Sequence, residues 1–590
     1  MKQNSIILSI KKSLLLLPNQ FKKSLLFVIF LTLLNSVLDL VGLTAILPVF
    51  GIVLTDNFLA KYSSIQYIYH FFDFSSEQSF IVFLCILILI ILIFKNIIGV
   101  WINTKQNRFS WEIYQVISIK MYNISYKRGF HFFNNKNSNE ILNDVVWIPQ
   151  VFANSIVRQL IYFINEFIIL IIIMVSLLIY APSIFGLLGI IVFPVFYFFH
   201  KKTKTKITYL GERINELNPI INKPVFDTIF GFVDVSMTGT IMFFRKRLQK
   251  AIEEIKGLQI TSTTFGLLPS RIIEITIFLS VLIILLYGMF FFESKTEIIT
   301  LISVFGLSVY RIIPTINRMM LSIMTIETHQ HAFDVINAYY KEEDINTFPQ
   351  QTPIAFKESI IIKDLSFKYP DTELFSLEKL NCTINKGDII GIVGESGSGK
   401  TTFANLFLRL LIENEGSIFV DNQKLLPNHI LDWKKKIGYV RQDVFLMDAT
   451  LAENIAFGLE KKDINYNKLN NVIERASLMG VVQQLEYGVN SIIGERGVKL
   501  SGGQRQRIGI ARALYYDAEI LVFDEATSAL DTQTEEEITN SIQKLSNTNL
   551  TMLIIAHRFS TLKYCNKIFS FRKGTIDNVL SYQDIQDNLN

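Results

Sequence analysis

The chain has 590 residues, of which 50% are hydrophobic and 18% charged, with a formal net charge of +5 and a mean hydropathy of +0.35. Single hydrophobic cores stop growing at about 250–300 residues, so at least two domains are expected. The composition excludes a disordered or collagen-like chain, and the charge excess is too modest to argue for nucleic acid as a partner. Three scattered cysteines, Cys85, Cys382 and Cys565, form neither a disulfide framework nor a close-spaced zinc site and suit a reducing compartment.

The first half of the chain reads as membrane. Apolar runs at about Leu25 to Val53, Phe80 to Trp101, Ile156 to Tyr180, Ile184 to Phe199, Ile272 to Phe292 and Ile298 to Met324 predict six spans. At 1.5 Å per residue such runs cross roughly 30 Å of hydrocarbon. Lysine and arginine cluster on one side only: Lys2, Lys11, Lys12, Lys22 and Lys23 before span one, Lys105 to Lys136 after span two, and Lys201 to Lys206 with Arg245, Lys246 and Arg247 after span four. Cationic loops stay in the cytoplasm, so both termini are expected there, and the amino terminus lacks the cleavage pattern of a removable signal peptide. Spans three and four meet at little more than Ala181, Pro182 and Ser183.

Between spans one and two, Phe58, Tyr62, Ile65, Tyr69 and Phe72 share one helical face within Asp56 to Phe74, as an interfacial helix would, although Ile65, Tyr67, Tyr69 and Phe71 also alternate as in a strand. The cytoplasmic segments at about 102–155 and 200–262 are poor in proline and glycine and carry recurrent apolar residues, among them Phe132, Ile141 and Val145. They are expected to be helical extensions of the spans.

The second half reads as a soluble α/β domain. A buried strand from Asp388 to Val393 runs into Gly394, Glu395, Ser396, Gly397, Ser398, Gly399, Lys400 and Thr401, followed by a helix from Thr402 to Leu411. This is a P-loop in its required setting. Its backbone amides cradle phosphate at a helix N-terminus, Lys400 neutralises the β and γ phosphates, and Thr401 ligates Mg²⁺. Ile520 to Phe523 predicts a second strand that ends in Asp524, a Mg²⁺ holder, and Glu525, placed to take a proton from the attacking water.

Between the two strands lie Leu500, Ser501, Gly502, Gly503 and Gln504, a segment that resembles the signature of ABC transporter ATPases. Other elements of that family occur in order: Tyr369, Gln442 in Tyr439-Val440-Arg441-Gln442, Ser528 to Asp531, and His557 after the strand Met552 to Ile555; Arg441 stands where many relatives carry proline. The resemblance implies an all-α six-helix transmembrane domain of ABC exporter type at 1–345, followed by an α/β P-loop NTPase domain at 355–590. It implies ATP with Mg²⁺ as cofactors, Tyr369 on adenine, Thr402 and the signature as further ATP contacts, Gln442 at Mg²⁺ and at the membrane loops, and His557 at the γ phosphate. Since the family's ATPase domains pair head to tail and this chain has one, it implies a homodimer with Asp531 acting across the interface. Coupling helices are implied near Ser138 to Val146 and Asn222 to Phe230.

Four cations fall within or beside the spans: Lys95, Arg271, Arg311 and Arg318. Arg311, Thr315 and Arg318 share a helical face interrupted by Pro314, which suits an anion-binding cavity. The plainer reading has Lys95 and Arg318 snorkelling to the interface and Arg271 paired with Glu274. The segments Val309 to Arg318 and Pro269 to Arg271 resemble bacterial ABC flippases of lipid-linked oligosaccharides, with Lys95 where arginine is expected. That likeness implies ATP-driven flipping of an anionic polyprenyl-pyrophosphate glycan across the bacterial inner membrane. The alternative is a multidrug or lipid A type exporter with the same ATPase.

Overall fold

In a computed structural model of the chain, residues 5–44, 67, 69–74, 76–180, 182–291, 295–343, 351–370, 372–494, 497–525, 532–546, 549–556 and 558–587 are described, in some helices by the backbone alone. The chain divides into two compact units, Met1–Asn346 and Thr347–Asn590.

Among the described residues of the first unit, all regular secondary structure is helix. Helices α1 (Ser5–Leu16), α2 (Phe21–Thr44), α3 (Glu77–Lys127), α4 (Arg158–Tyr180), α5 (Pro182–Phe230), α6 (Ile241–Phe291), α7 (Lys295–Thr328) and α8 (His331–Glu343) carry most of it. The six expected spans fall on α2 to α7, with 45–53 and Phe292 outside the described residues. Three stretches among the described residues, Phe21–Asp39, Gln78–Lys127 and Ser138–Ile179, are by themselves long and apolar enough to cross a membrane. None of the most apolar eighteen-residue window of the second is buried. Its exposed Ile86, Leu89, Ile90, Ile93, Phe94 and Ile97 present an apolar surface that water would not tolerate and hydrocarbon would.

The extension of the spans is helical, as the sparse prolines and glycines predict. Helix α3 has 51 residues, roughly 75 Å at 1.5 Å each, well over twice the hydrocarbon thickness. Helix α5 continues through Pro194, Pro219 and Pro224. The first segment expected to hold a coupling helix forms a short α-helix, Ser138–Leu142, followed by a π-helical turn, Asn143–Trp147, and a second π turn at Phe152–Val157 leads into α4. The second, 222–230, is the end of α5, followed by a short helix, Phe232–Thr238. Asp144 anchors the first segment: Lys136 lies 2.6 Å from its carboxylate, and the Tyr339 hydroxyl of α8 donates to it at 3.1 Å. A core of Phe21, Phe109, Ile113, Phe152 and Phe333 joins α2, α3, the second π turn and α8, with edge-on rings in the pairs Phe21–Phe109 and Phe152–Phe333. Of the expected interfacial helix, Tyr67 and Tyr69 to Phe71 are helical, and Phe58, Tyr62 and Ile65 lie outside the described residues.

The second unit holds two sheets. One is antiparallel, in the order β2 (Leu377–Asn385), β1 (Ser359–Phe367), β4 (Glu415–Val420), β5 (Gln423–Lys424). The other runs β10 (Thr575–Leu580), β9 (Lys567–Arg572), β3 (Ile389–Gly394), β8 (Thr551–Ile555), β7 (Ile520–Asp524), β6 (Ile437–Val440), parallel except for the β9–β10 hairpin. Strand β8 is buried at every residue, and β3 and β7 are buried except at their last one or two, the pattern of strands covered on both faces. Ile555 of β8 pairs with Ile392 on one side and Asp524 on the other, so a single rung sets the ends of β3 and β7 level. Both strands therefore discharge their loops at one carboxyl edge, where parallel α/β sheets bind ligands.

At the opposite edge Asp388, 8% exposed, accepts from the Asn385 amide at 2.9 Å, the Asn566 side chain at 2.9 Å and Lys567 at 2.8 Å. Burial pushes its pKa up, but these bonds outweigh burial and leave it below the ordinary aspartate value. A depressed folded pKa means stabilisation that is complete above about pH 4 and is lost as pH falls through the folded value. Asp388→Ala is expected to destabilise the second unit by about 2 kcal/mol at neutral pH, because the Lys567 ammonium and the Asn566 side-chain amide nitrogen lose their acceptor. The gap from wild type should narrow as pH falls below the ordinary aspartate pKa of about 4 and through the depressed folded value, as chemical denaturation followed across the acidic range will show.

Candidate functional site

The loop leaving β3 is shaped by contacts that only glycine permits. Gly394 has φ +150° and a Cβ there would lie 2.4 Å from the Phe571 carbonyl oxygen; Gly399, at φ +104°, would bring one within 2.7 Å of a Leu377 methyl and 2.9 Å of the Ser376 oxygen. Helix α9 (Lys400–Phe407) starts at once, and its free N-terminal amides face the loop. The Lys400 ammonium donates to the carbonyls of Gly394 at 2.8 Å and Glu395 at 2.9 Å, which arches it back over the loop. Burial lowers its pKa, and the charge of Glu525 opposes that shift.

Glu525 follows Asp524 in a left-handed conformation, φ +50°, with its amide donating to the Ile555 oxygen at 3.0 Å. For a non-glycine residue this costs roughly 1–2 kcal/mol and turns the chain sharply off the strand. A cleft of about 740 Å³ results, lined by Ser396, Gly397, Gly399, Lys400, Thr401 and Thr402 on one side and by Glu525 on another. Ser398 is buried, and its hydroxyl has no hydrogen-bond partner among the described residues.

Asp524 accepts a 2.7 Å bond from the Tyr439 hydroxyl. Burial, then the bond and charge of Asp524, push the phenol far above its ordinary pKa, so Tyr439 remains a neutral donor that orients the carboxylate. Thr401, Asp524 and Gln442, the residues expected to hold Mg²⁺, each offer an oxygen donor, the ligand chemistry that this ion takes. Tyr369 packs its ring edge-on against Phe367, and its hydroxyl sits 3.3 Å from that of Thr402, which lines the cleft together with the apolar Leu374 and Phe375.

Sequence reasoning passed over Gln506. It is 4% exposed, and its amide donates to the backbone oxygens of both Arg441 and Gln442, at 3.0 and 2.5 Å. It rises from α10 (Gly502–Tyr515), the helix that the signature opens. Ser501 caps α10, accepting from the Gln504 amide at 3.3 Å while the Gln504 side chain accepts from the Ser501 amide at 2.9 Å. The position of Gln506, five residues after Ser501, was the only available signal. Among the described residues, Ser501, Gly502, Gly503 and Gln504 do not line the cleft, and Ser501 is exposed. His557 and Ser528 to Asp531 lie outside the described residues.

In the first unit each of the four cations meets a carboxylate. Asp39 of α2 is shared by Lys95 of α3 at 2.7 Å and Arg311 of α7 at 3.0 Å. Arg318 meets Glu166 of α4 at 2.8 Å, and Arg271 meets Glu274 one turn on at 3.1 Å. Lys95, Arg311 and Arg318 are thus gathered on α3 and α7 beside α2 and α4, whereas Arg271 pairs within its own helix. The sequence reading had no means of finding Asp39 or Glu166.

Residues 377–528 match the family model described as ABC transporter. The chain is 41% identical over 217 residues to an ATP-dependent lipid A-core flippase of Wigglesworthia glossinidia brevipalpis, an alignment that covers 37% of each chain. It is 26% identical over 473 residues, 79% of each, to an ATP-dependent lipid A-core flippase of Cupriavidus metallidurans. The match thus spans little more than a third of the first relative's length and most of the second's. A solved structure titled as a bacterial Atm1-family ABC exporter with ATP bound superposes with a TM-score of 0.77 at 20% identity, covering 97% of both chains.

Gly399→Ala forces a methyl into the Leu377 side chain and the Ser376 carbonyl. It is expected to weaken binding of a fluorescent ATP analogue at least about tenfold, the equivalent of 1.4 kcal/mol, while far-ultraviolet circular dichroism stays native.

Proposed function

We propose, from the premise that the chain is an exporter-type ABC half-transporter in its fold and its ATPase unit, that two copies pair to hydrolyse ATP and carry an anionic glycolipid from the inner to the outer leaflet of a bacterial inner membrane. The observation that carries the substrate side is the meeting of Lys95 and Arg311 on one carboxylate within the helical unit, since intramembrane cations are retained for function. A sugar-phosphate head does not cross hydrocarbon unaided. Pairing is supported by the position of the signature: it caps its own helix away from the cleft of its own P-loop, and a second copy would bring it to the nucleotide.

In the resulting site Lys400 balances phosphate charge, the amides opening α9 cradle the β and γ oxygens, and Glu525 takes the proton of the attacking water. Thr401, Asp524 and Gln442 would hold Mg²⁺, which when bound draws charge from the phosphates. Tyr439 keeps Asp524 aimed, and Gln506 holds the backbone that carries Gln442. His557 is assigned to the γ phosphate and Asp531 to the interface. With a transmembrane domain at 1–345 and an ATPase domain at 355–590, the dimer has twelve spans and cytoplasmic termini.

The relatives' shared description favours a lipid A type cargo. The face formed by Arg311, Thr315 and Arg318 also supports a second reading, a polyprenyl-pyrophosphate glycan, because two arginines two turns apart suit a pyrophosphate. A leaflet-translocation assay in proteoliposomes offered each lipid, a neutral phospholipid and a hydrophobic drug discriminates among them, and equal rates for all four remove the anionic-lipid reading.

Glu525→Gln is expected to keep ATP binding and lower turnover at least about 100-fold; phosphate release near the wild-type rate removes its role as base. Replacing Arg311 and Arg318 together by alanine is expected to abolish translocation of the anionic lipids in the same vesicles.

A further inference from the structure

The carboxylates that hold the membrane cations form part of a continuous polar seam. The Asn35 side chain, one turn before Asp39 on α2, donates to the Asn165 side chain of α4 at 3.3 Å, and the Ser36 hydroxyl lies 3.0 Å from the same oxygen. Asn165 precedes Glu166, the partner of Arg318 on α7. One seam between α2, α3, α4 and α7 therefore contains three cations, Lys95, Arg311 and Arg318, and two carboxylates, Asp39 and Glu166, for a net charge of +1. It is incompletely bonded: Nε of Arg311, the hydroxyl of Thr315 and the second oxygen of Glu166 are buried without a partner among the described residues, and Thr315 and Glu166 are 0% and 3% exposed. Unmet polar atoms in so apolar a setting are expensive, which marks an arrangement open to exchange.

We propose that Asp39 and Glu166 are resident counter-ions that the cargo must displace, so that the seam admits headgroups with a doubly charged phosphoryl group and rejects singly charged phosphodiesters. The inference rests on the anionic-lipid reading above. Asp39 offers one negative charge to two cations. A phosphodiester also offers one, so its exchange for Asp39 gains no charge and strands a carboxylate in an apolar bundle. A phosphomonoester or pyrophosphate brings about −1.5 to −2 at neutral pH and three or more acceptor oxygens, enough to bridge Lys95 and Arg311 and reach the unpartnered Arg311 Nε. The consequence is protection against the bulk membrane: phosphodiester lipids surround the transporter in large excess, and a bare arginine pair would bind them. Asp39 and Glu166 are positioning residues, acting through the cations they occupy.

The test reconstitutes the full-length protein with two labelled probes, a diglucosamine lipid carrying two phosphomonoesters and phosphatidylglycerol, and reads the ratio of their ATP-driven translocation rates. Wild type is expected to favour the first strongly. Asp39→Asn is expected to lower the ratio about tenfold by freeing two cations for the phosphodiester, Asp39→Glu to restore it, and Glu166→Gln to lower it independently, which covers the case of a misfolded Asp39 variant. A purely structural role slows both probes alike and leaves the ratio fixed. A wild type that moves the two anionic probes equally, or a selective one whose ratio survives both Asp39→Asn and Glu166→Gln, overturns the counter-ion proposal alone, whereas a wild type that moves neither probe faster than a neutral phospholipid overturns the anionic-lipid reading beneath it.

Discussion

Hydrocarbon supplies no hydrogen bonds, so every backbone amide and carbonyl that crosses it must be satisfied within its own element. That constraint divides the molecule. It makes the described part of the first unit helical, with bare apolar faces along α3 that would be untenable in water. It also assigns the work of exposed loops, strained backbone and phosphate-binding amides to the second unit, where water is at hand. The same cost governs side chains: the few charges retained between α2, α3, α4 and α7 are paired, because an isolated one would be excluded.

In the second unit the sheet replaces the bilayer as the organising constraint. Strands buried on both faces have no freedom of register, and β8 aligns β3 with β7 through Ile555. The P-loop and the acidic pair then emerge from one edge, and the fine geometry is added by local devices: the glycine contacts at Gly394 and Gly399, the left-handed turn at Glu525, and the bond from Tyr439 to Asp524. Gln506 ties the helix opened by the signature to the Gln442 backbone, so two segments some sixty residues apart behave as one part.

How much of this was legible in the sequence depended on the range of the interaction. Helices at the span positions over the described residues, the P-loop with its strand and a helix that runs Lys400–Phe407 where Thr402 to Leu411 was expected, the acidic end of β7 and the helical cytoplasmic extensions follow from periodicity and contiguous motifs. The pairing of Arg271 with Glu274 was also accessible, because both lie within one helical turn. The partners of Lys95, Arg311 and Arg318 were not: Asp39 is 272 residues from Arg311 and Glu166 is 152 from Arg318, and no periodicity spans such distances. The π turns at Asn143–Trp147 and Phe152–Val157 were hidden for a different reason, because one extra residue per turn leaves the composition of a helix unchanged.

The length of the bundle helices has a mechanical meaning. Helices α3 and α6 each run for 51 residues without interruption. Each is a lever with its fulcrum in the bilayer and an arm of roughly 45 Å beyond it, so a tilt of about 10° sweeps the free end through roughly 8 Å. Small rearrangements among the paired charges near the fulcrum are thereby multiplied at the distant tip, and large strokes at the tip are geared down to sub-ångström adjustments of a salt bridge. Stroke and force trade against each other along one rigid rod, with no relay of residues in between.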